Sequence, residues 1–156
     1  MRQLFGDVQT VLRVAEDLVV HGTLRAGATV DDGCTLIVHG SVRGSLSISA
    51  GGVVVIRGIL DAFVDGNHGK LAVAGTVSTP VETVPGRFRV AAYSSVSVRG
   101  ENRVVSPSGV LLAVANGIVI PLRAGTILRW EAAAARFHPV GDTDFRRLRR
   151  TIEEFS

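Results

Sequence analysis

Aliphatic and polar residues alternate along the first half of the chain with a period of two. From Leu18 to Val64 every even-numbered position except Asp32 holds an aliphatic residue, Ala, Gly or Cys, while odd positions hold most of the His, Thr, Ser, Arg and Asp. This alternation is typical of β-strands with one buried face, because successive side chains point to opposite sides. We therefore predict that even positions face a core and odd positions face outward.

A longer repeat accompanies this alternation. Val20-His21-Gly22 recurs as Val38-His39-Gly40, as Ile56-Arg57-Gly58 and, more loosely, as Val73-Ala74-Gly75, at spacings of 18, 18 and 17 residues. We interpret the glycines as inward positions where the backbone is tightly packed or bent. An aliphatic residue also recurs at every sixth position: Leu18, Leu24, Val30, Leu36, Val42, Ile48, Val54 and Leu60. Three six-residue segments per repeat predict an all-β fold, a triangular parallel β-helix with about 18 residues per coil.

The chain of 156 residues is predicted to form one domain with four parts. These are a lead-in at 1–17, the β-solenoid at 18–104, a β-rich closing segment at 105–141 and a C-terminal helix at 142–156. The closing segment would cover the strand edge that a stack of coils leaves unpaired.

Three local irregularities are expected within this organisation. The alternation moves to odd positions at the turn 66–70, which indicates a deletion of one residue at a corner. It returns to even positions from Phe88 through Ala92, and Val98-Arg99-Gly100 is interpreted as a further copy of the repeat. The alanine-rich segment 130–137 is predicted to be a short helix or an irregular cap.

Two surfaces are candidates for contact with a protein. Residues 18 apart lie above one another in a solenoid, so Val19, Ile37, Val55 and Ala72 predict an outward aliphatic ridge, with Ile59 and Phe63 on the same coil as Val55. The predicted C-terminal helix has an apolar stripe of Phe145, Leu148, Ile152 and Phe155, and we expect it to lie across the ridge. Otherwise the ridge serves self-association or a partner. The opposite face of the helix carries the second candidate, Arg146, Arg147, Arg149 and Arg150.

Composition narrows the class of protein. Residues 1–84 carry six Lys and Arg against eight Asp and Glu, and residues 85–156 carry eleven against six. This asymmetry is compatible with two halves that attract each other or with an anionic partner. Aromatic residues are scarce, so nucleic acid is not an expected ligand.

The single Cys34 is predicted to be a buried, unreactive thiol in a reducing compartment. The first residues lack a signal-peptide pattern and no apolar run is long enough to span a bilayer, so we expect a cytoplasmic protein, although peripheral membrane contact is compatible with this.

The sequence does not indicate catalysis. His21 and His39 fall in one outward column with Arg57, without a carboxylate, and are interpreted as solvated side chains rather than as a metal site. The turn Asp65-Gly66-Asn67-His68-Gly69-Lys70 is interpreted as an inter-strand turn, since its spacing is not that of a Walker loop. No nucleophile lies in a motif that would activate it. We predict that the chain is not an enzyme, and we assign no catalytic, cofactor-binding or metal-binding residues.

The repeats, and segments such as VHGSVRGSLSISAGGVVVIRGIL at 38–60, resemble the bactofilins, a family of polymer-forming bacterial cytoskeletal proteins. The resemblance covers residues 18–84. It implies a right-handed triangular β-helix, end-to-end polymerisation without nucleotide, and scaffolding of other proteins at the bacterial membrane or envelope. The ordered segment expected after residue 84 departs from the family, in which the core lies between disordered tails.

Three hypotheses of function follow. The first is a bactofilin-like structural or scaffolding protein that self-associates through the ends or faces of the solenoid, so that its partner is a further copy of itself. The second is a capped solenoid that binds one protein partner, such as an immunity or inhibitor protein. The third is a trimeric enzyme similar to the hexapeptide-repeat acyltransferases, whose six-residue rhythm the chain shares and in which His21 or His39 would meet residues of another subunit.

Overall fold

The computed structural model describes residues 1–115, 117–123 and 125–139. Within these ranges the chain forms a β-solenoid, which confirms the predicted fold class. A single turn of 3-10 helix spans Val81–Thr83. The strands are β1 (Arg2–Phe5), β2 (Leu12–Val14), β3 (Leu18–His21), β4 (Gly27–Val30), β5 (Thr35–Val38), β6 (Ser41–Ile48), β7 (Val53–Ile56), β8 (Ile59–Asn67), β9 (Lys70–Val73), β10 (Thr76–Pro80), β11 (Gly86–Val90), β12 (Ser95–Val98), β13 (Glu101–Val105), β14 (Val110–Ala115), β15 (Ile118–Arg123), β16 (Ile127–Glu131) and β17 (Arg136–Pro139).

The strands belong to two sheets. In the first sheet β1, β3, β5, β7, β9 and β11 follow one another in parallel, and in the second β2, β4, β6, β8, β10 and β12 do the same. The long strands β6 and β8 each continue around a corner of the coil, so the second sheet covers two sides of the triangle. Bridges from Val8 to Leu24 and from Leu24 to Val42 extend this pairing to the first coils.

The alternation predicts the core correctly. The aliphatic residues at even positions from Val14 to Val64 that lie in strands are buried, and the odd positions between them face outward. Asp32, the charged exception, is exposed. Cys34 was predicted to be buried but is only half-buried, at a corner where its Sγ lies 3.8 Å from the carbonyl oxygen of Asp32. Loss of hydration and, after it, the nearby Asp31 carboxylate raise the pKa of this thiol, which disfavours the reactive thiolate.

The corner glycines contact the backbone of the preceding coil. A Cβ added to Gly22, Gly40, Gly58 or Gly75 would lie 2.1 to 2.2 Å from the carbonyl oxygen of the glycine one coil below. Each of these glycines is at least partly exposed, so the interpretation that they point inward is wrong. The interpretation of tight packing is confirmed, with the contact directed along the axis of the stack.

The register changes at β8 in two steps. Leu46 pairs with Val64, but Ser47 pairs with Gly66, so one extra residue is inserted at Asp65. The following corner is two residues shorter than the one below it, because Val53 pairs with Lys70. The net loss of one residue agrees with the predicted slip, although it combines an insertion and a larger deletion.

The winding reverses after β12. Arg99 and Gly100 both have positive φ, 51° and 78°, as a type I′ hairpin requires, and β13 runs antiparallel to β12. Val98-Arg99-Gly100 is therefore a hairpin turn, and its interpretation as a further repeat is wrong. Ala92, predicted to face inward, is exposed because the corner beside it is wider.

The rest of the described chain is an antiparallel meander. In the first sheet β14 pairs with β11 and β15 with β14, while in the second β16 pairs with β13 and β17 with β16. The alanine-rich segment 130–137, predicted to be a helix or an irregular cap, is a β-hairpin in which Ala135 has positive φ. The predicted helix 142–156, and with it the packing of that helix on the ridge, lies outside the described residues.

One charged side chain enters the interior at this end. Arg103 lies opposite the buried Val96, and its side chain is only 9% exposed. Its Nη2 atom donates to Glu101, whereas its Nε and Nη1 atoms are buried without a hydrogen-bond partner. Burial of such donors lowers stability.

We expect Gly40→Ala to lower the free energy of unfolding by about 1–3 kcal/mol, because the added methyl group would overlap the carbonyl of Gly22 and push two coils apart. Gly66→Ala is the control: its Cβ would meet only the flexible side chain of His68, so we expect a change within about 0.5 kcal/mol. Urea unfolding of both variants measures this. Equal effects would show that the corner contact is not selective.

We expect Arg103→Met to leave the free energy of unfolding unchanged or to raise it by about 1 kcal/mol or more, because it removes two unpaired buried donors while the exposed Glu101 stays hydrated. Thermal and urea unfolding would measure the change. A loss of stability would mean that the guanidinium is satisfied inside the protein.

Candidate assembly surface at the N-terminal end

The first coil leaves two strand edges open. Among the residues that the structure describes, β1 pairs with β3 alone and β2 with β4 alone. The amides of Arg2 and Gly6 donate to the second coil, to Asp17 and His21. In a parallel ladder alternate residues bond to opposite neighbours, so the N–H and C=O groups of Gln3 and Phe5 point away from the stack. In β2 the carbonyl of Val14 accepts from the amide of Asp31 on the second coil. By the same alternation, the N–H and C=O groups of Arg13 point away from the stack.

The inward side chains of this coil are incompletely covered. Leu4, Val8 and Leu12 pack on the core but are only half-buried, whereas the residues stacked on the latter two, Leu24 and Ala28, are at most 1% exposed. A cavity of about 330 Å³ opens between Leu4, Leu12, Val14 and Leu18. The end of the solenoid thus shows apolar interior that a further coil would bury.

More apolar surface surrounds this opening. Met1, Phe5 and Val11 are 67%, 78% and 56% exposed. Together with Leu4, Val8 and Leu12 they form what we call the open end. An apolar patch that adjoins unpaired strand edges is typical of an association surface.

Polar contacts hold the first coil in place. Asp7 accepts from the amide of Thr23 at 3.1 Å and from Nη2 of Arg25 at 3.1 Å. These two hydrogen bonds, the amide first, lower the pKa of the Asp7 carboxyl. Arg2 and Glu16 form a further ion pair at 2.9 Å. These contacts connect the first coil to the second and join the two ends of the first coil.

The outward histidines form part of an aromatic stack. The rings of His21 and His39 are parallel, with centroids 5.0 Å apart, and Phe5 stacks on His21 at 4.7 Å. Nε2 of His21 also lies 3.0 Å from Oε1 of Gln3. The prediction of outward side chains is correct, but the stacking was not foreseen. The missed signal is Phe5-Gly6, which stands 16 rather than 18 residues before His21-Gly22.

The structure describes some of the predicted contact residues and not others. Val19, Ile37 and Val55 form one column of paired positions on the outer face of the first sheet, where each is half-buried. Ile59 and Phe63 are exposed, but they lie on the second sheet and do not extend the column. Arg146, Arg147, Arg149 and Arg150 lie outside the described residues.

Two further features bear on chemistry and location. Across residues 1–115, 117–123 and 125–139, no three His, Cys, Asp or Glu side chains are grouped closely enough to hold a metal ion. Over the same part of the chain, no helix combines the length and hydrophobicity needed to cross a bilayer.

Comparisons with protein-family models, with curated proteins and with solved structures gave no match to this chain.

We expect the stability of the first coil to fall as the pH decreases below about 4. The folded-state pKa of Asp7 is lowered, so its contribution is present above the unfolded pKa and is lost as the pH falls through the folded value. Asp7→Asn should reduce the loss of thermal stability between about pH 6 and about pH 2. Asp61→Asn, at an exposed carboxylate on β8, is the control. The same acid profile for wild type and Asp7→Asn would contradict the assignment.

Proposed function

We propose that this protein is a structural scaffold of the bactofilin type that self-associates through the open end. The observation that supports this most directly is the coincidence, at one end, of unpaired strand edges with exposed core side chains. Either feature alone is common, but a second solenoid placed end to end would satisfy both at once.

The open end is suited to pairing with a copy of itself. Two chains related by a two-fold axis would place β1 of one antiparallel to β1 of the other, so that the outward-pointing groups of Gln3 and Phe5 bond across the interface. The same contact would bury Leu4, Val8 and Leu12 against their counterparts. An isologous dimer uses one surface twice, and this chain offers such a surface.

The other end differs in kind. After Arg99 and Gly100 the strands run antiparallel, and the side chains of Leu112, Ile120 and Ile127 there are buried. A parallel first coil does not match an antiparallel meander, so head-to-tail stacking is disfavoured. The dimer is therefore the proposed unit, and growth into filaments would require a second, different contact.

Proline at position 3 tests this proposal. Gln3→Pro removes an N–H that the ladder alternation leaves unpaired within the described residues, so the monomer should remain folded while pairing across the open end is blocked. Gln3→Ala is the matched control, since it loses the same contact with His21 but keeps the N–H. We expect a concentration-dependent dimer mass by light scattering for wild type and Gln3→Ala, and a monomer for Gln3→Pro.

Two results would contradict the proposal: a wild-type monomer at every concentration, or a dimer that Gln3→Pro leaves intact. A stable trimer would instead favour the acyltransferase-like hypothesis. Circular dichroism of each variant shows whether the solenoid is folded, so that loss of assembly is not confused with unfolding.

A further inference from the structure

A second surface lies on the outer face of the first sheet, several coils from the open end. A groove of about 600 Å³ is lined there by β7, β9, β11 and β14. Val53, Ala72 and Leu111, all half-buried, form its apolar floor, and the exposed Lys70, Arg87 and Arg89 stand around it. We call this surface the basic groove.

The three cations lie close together, and no carboxylate of the described residues is paired with them. Leu71 pairs with Phe88, so Lys70 and Arg87 are neighbours on adjacent parallel strands, and Arg89 points to the same side two residues on. Like charges at such positions repel. No Asp or Glu is among the described residues that line the groove. The arrangement therefore lowers the stability of the described chain.

Three arginines near the N-terminal end, in contrast, are paired with carboxylates. Arg2, Arg13 and Arg25 each form an ion pair with a carboxylate, at 2.9, 3.2 and 3.1 Å. Lys70, Arg87 and Arg89 form none with any described residue. Within the described part of the chain their charge is therefore uncompensated.

We propose that the basic groove binds an acidic segment of a partner protein, one that carries an apolar side chain among its carboxylates. The carboxylates would bond to Arg87, Arg89 and Lys70, with the guanidinium groups able to bond in a bidentate way. The apolar side chain would cover Val53, Ala72 and Leu111. Charge complementarity selects this occupant, because cations on an apolar floor match carboxylates around an apolar anchor.

Other polyanions fit the groove less well. Among the described residues that line it, Phe88 alone is aromatic, and its ring is buried beneath the sheet, where no base could stack on it. A lipid bilayer is flat at this scale and would contact the rim cations without reaching the recessed floor. A peptide side chain can reach it.

Selection from a library of displayed random 12-residue peptides, with the folded full-length protein as bait, tests the inference. We expect the recovered peptides to be rich in Asp and Glu and to contain Leu, Ile or Phe. A synthetic copy of the most enriched peptide should bind Arg89→Glu at least about 10-fold more weakly than wild type. It should bind Arg43→Glu, a charge reversal on the second sheet, within about 2-fold.

The stability of the variants separates binding from folding. Reversing Arg87 beside Lys70 replaces a repulsion with an attraction, so Arg87→Glu should melt at the same temperature as wild type or higher, while losing peptide binding. Peptides without acidic bias, or equal binding to Arg89→Glu, would overturn the inference. The inference would also be overturned if the wild-type protein bound no peptide but sedimented with phosphatidylserine vesicles, and if Arg89→Glu abolished that sedimentation. The test is independent of assembly, since Gln3→Pro should bind the peptide as wild type does.

Discussion

The close contact of backbone with backbone at one corner of the coil is the constraint on which the rest of the structure depends. In four successive coils a glycine lies directly against the carbonyl of the glycine below, at a distance that leaves no room for a Cβ. This contact allows the chain to turn sharply and still keep the spacing of a parallel ladder, about 4.8 Å per coil. Because the corner repeats, equivalent residues of successive coils fall into columns. The buried aliphatic stack, the outward ridge and the stack of Phe5, His21 and His39 are all consequences of that alignment.

A stack of this kind satisfies its backbone groups everywhere except at its two ends. At one end the chain reverses direction at Arg99 and Gly100 and continues as antiparallel strands over the last coil. At the other end no described strand pairs with the outer edge of the first coil, which ion pairs and the Asp7 contacts connect to the second coil and to itself. A surface that is ordered, apolar and rich in unpaired backbone groups is costly to leave in water. The proposed self-association through it would account for these features together, and would leave free the outer face that carries the basic groove.

The sequence contained enough information for the architecture, because a period of two and a repeat of 18 depend only on local geometry. The sequence led to a wrong prediction where one short motif is compatible with two structures. Val98-Arg99-Gly100 has the same form as a corner tripeptide, yet here the glycine permits a hairpin turn, and only the pairing of β12 with β13 distinguishes the two. The alanine-rich segment was likewise assigned from helix propensity, which the antiparallel pairing of β16 with β17 overrides.

The candidate sites were harder to predict, because they depend on register. The open end was not predicted, because the first coil is two residues shorter than the next. Phe5 therefore does not stand 18 residues before His21, and the repeat did not identify it. The basic groove also depends on register: β9 pairs with β11 so that Leu71 lies opposite Phe88, which places Lys70 beside Arg87, and the net shift at β8 places Lys70 opposite Val53. The ridge of Val19, Ile37 and Val55 needed no such shift and was identified from spacing alone.

Amide hydrogen exchange at the open end, followed by NMR at several protein concentrations, tests the central claim most directly. The account predicts that the amides of Gln3 and Phe5 exchange rapidly in dilute solution and become protected as concentration rises, while the alternate amide of Leu4 is protected throughout. If the exchange rates of the Gln3 and Phe5 amides did not change with protein concentration, the account would be contradicted, because the open edge would then have no partner in a second copy of the chain.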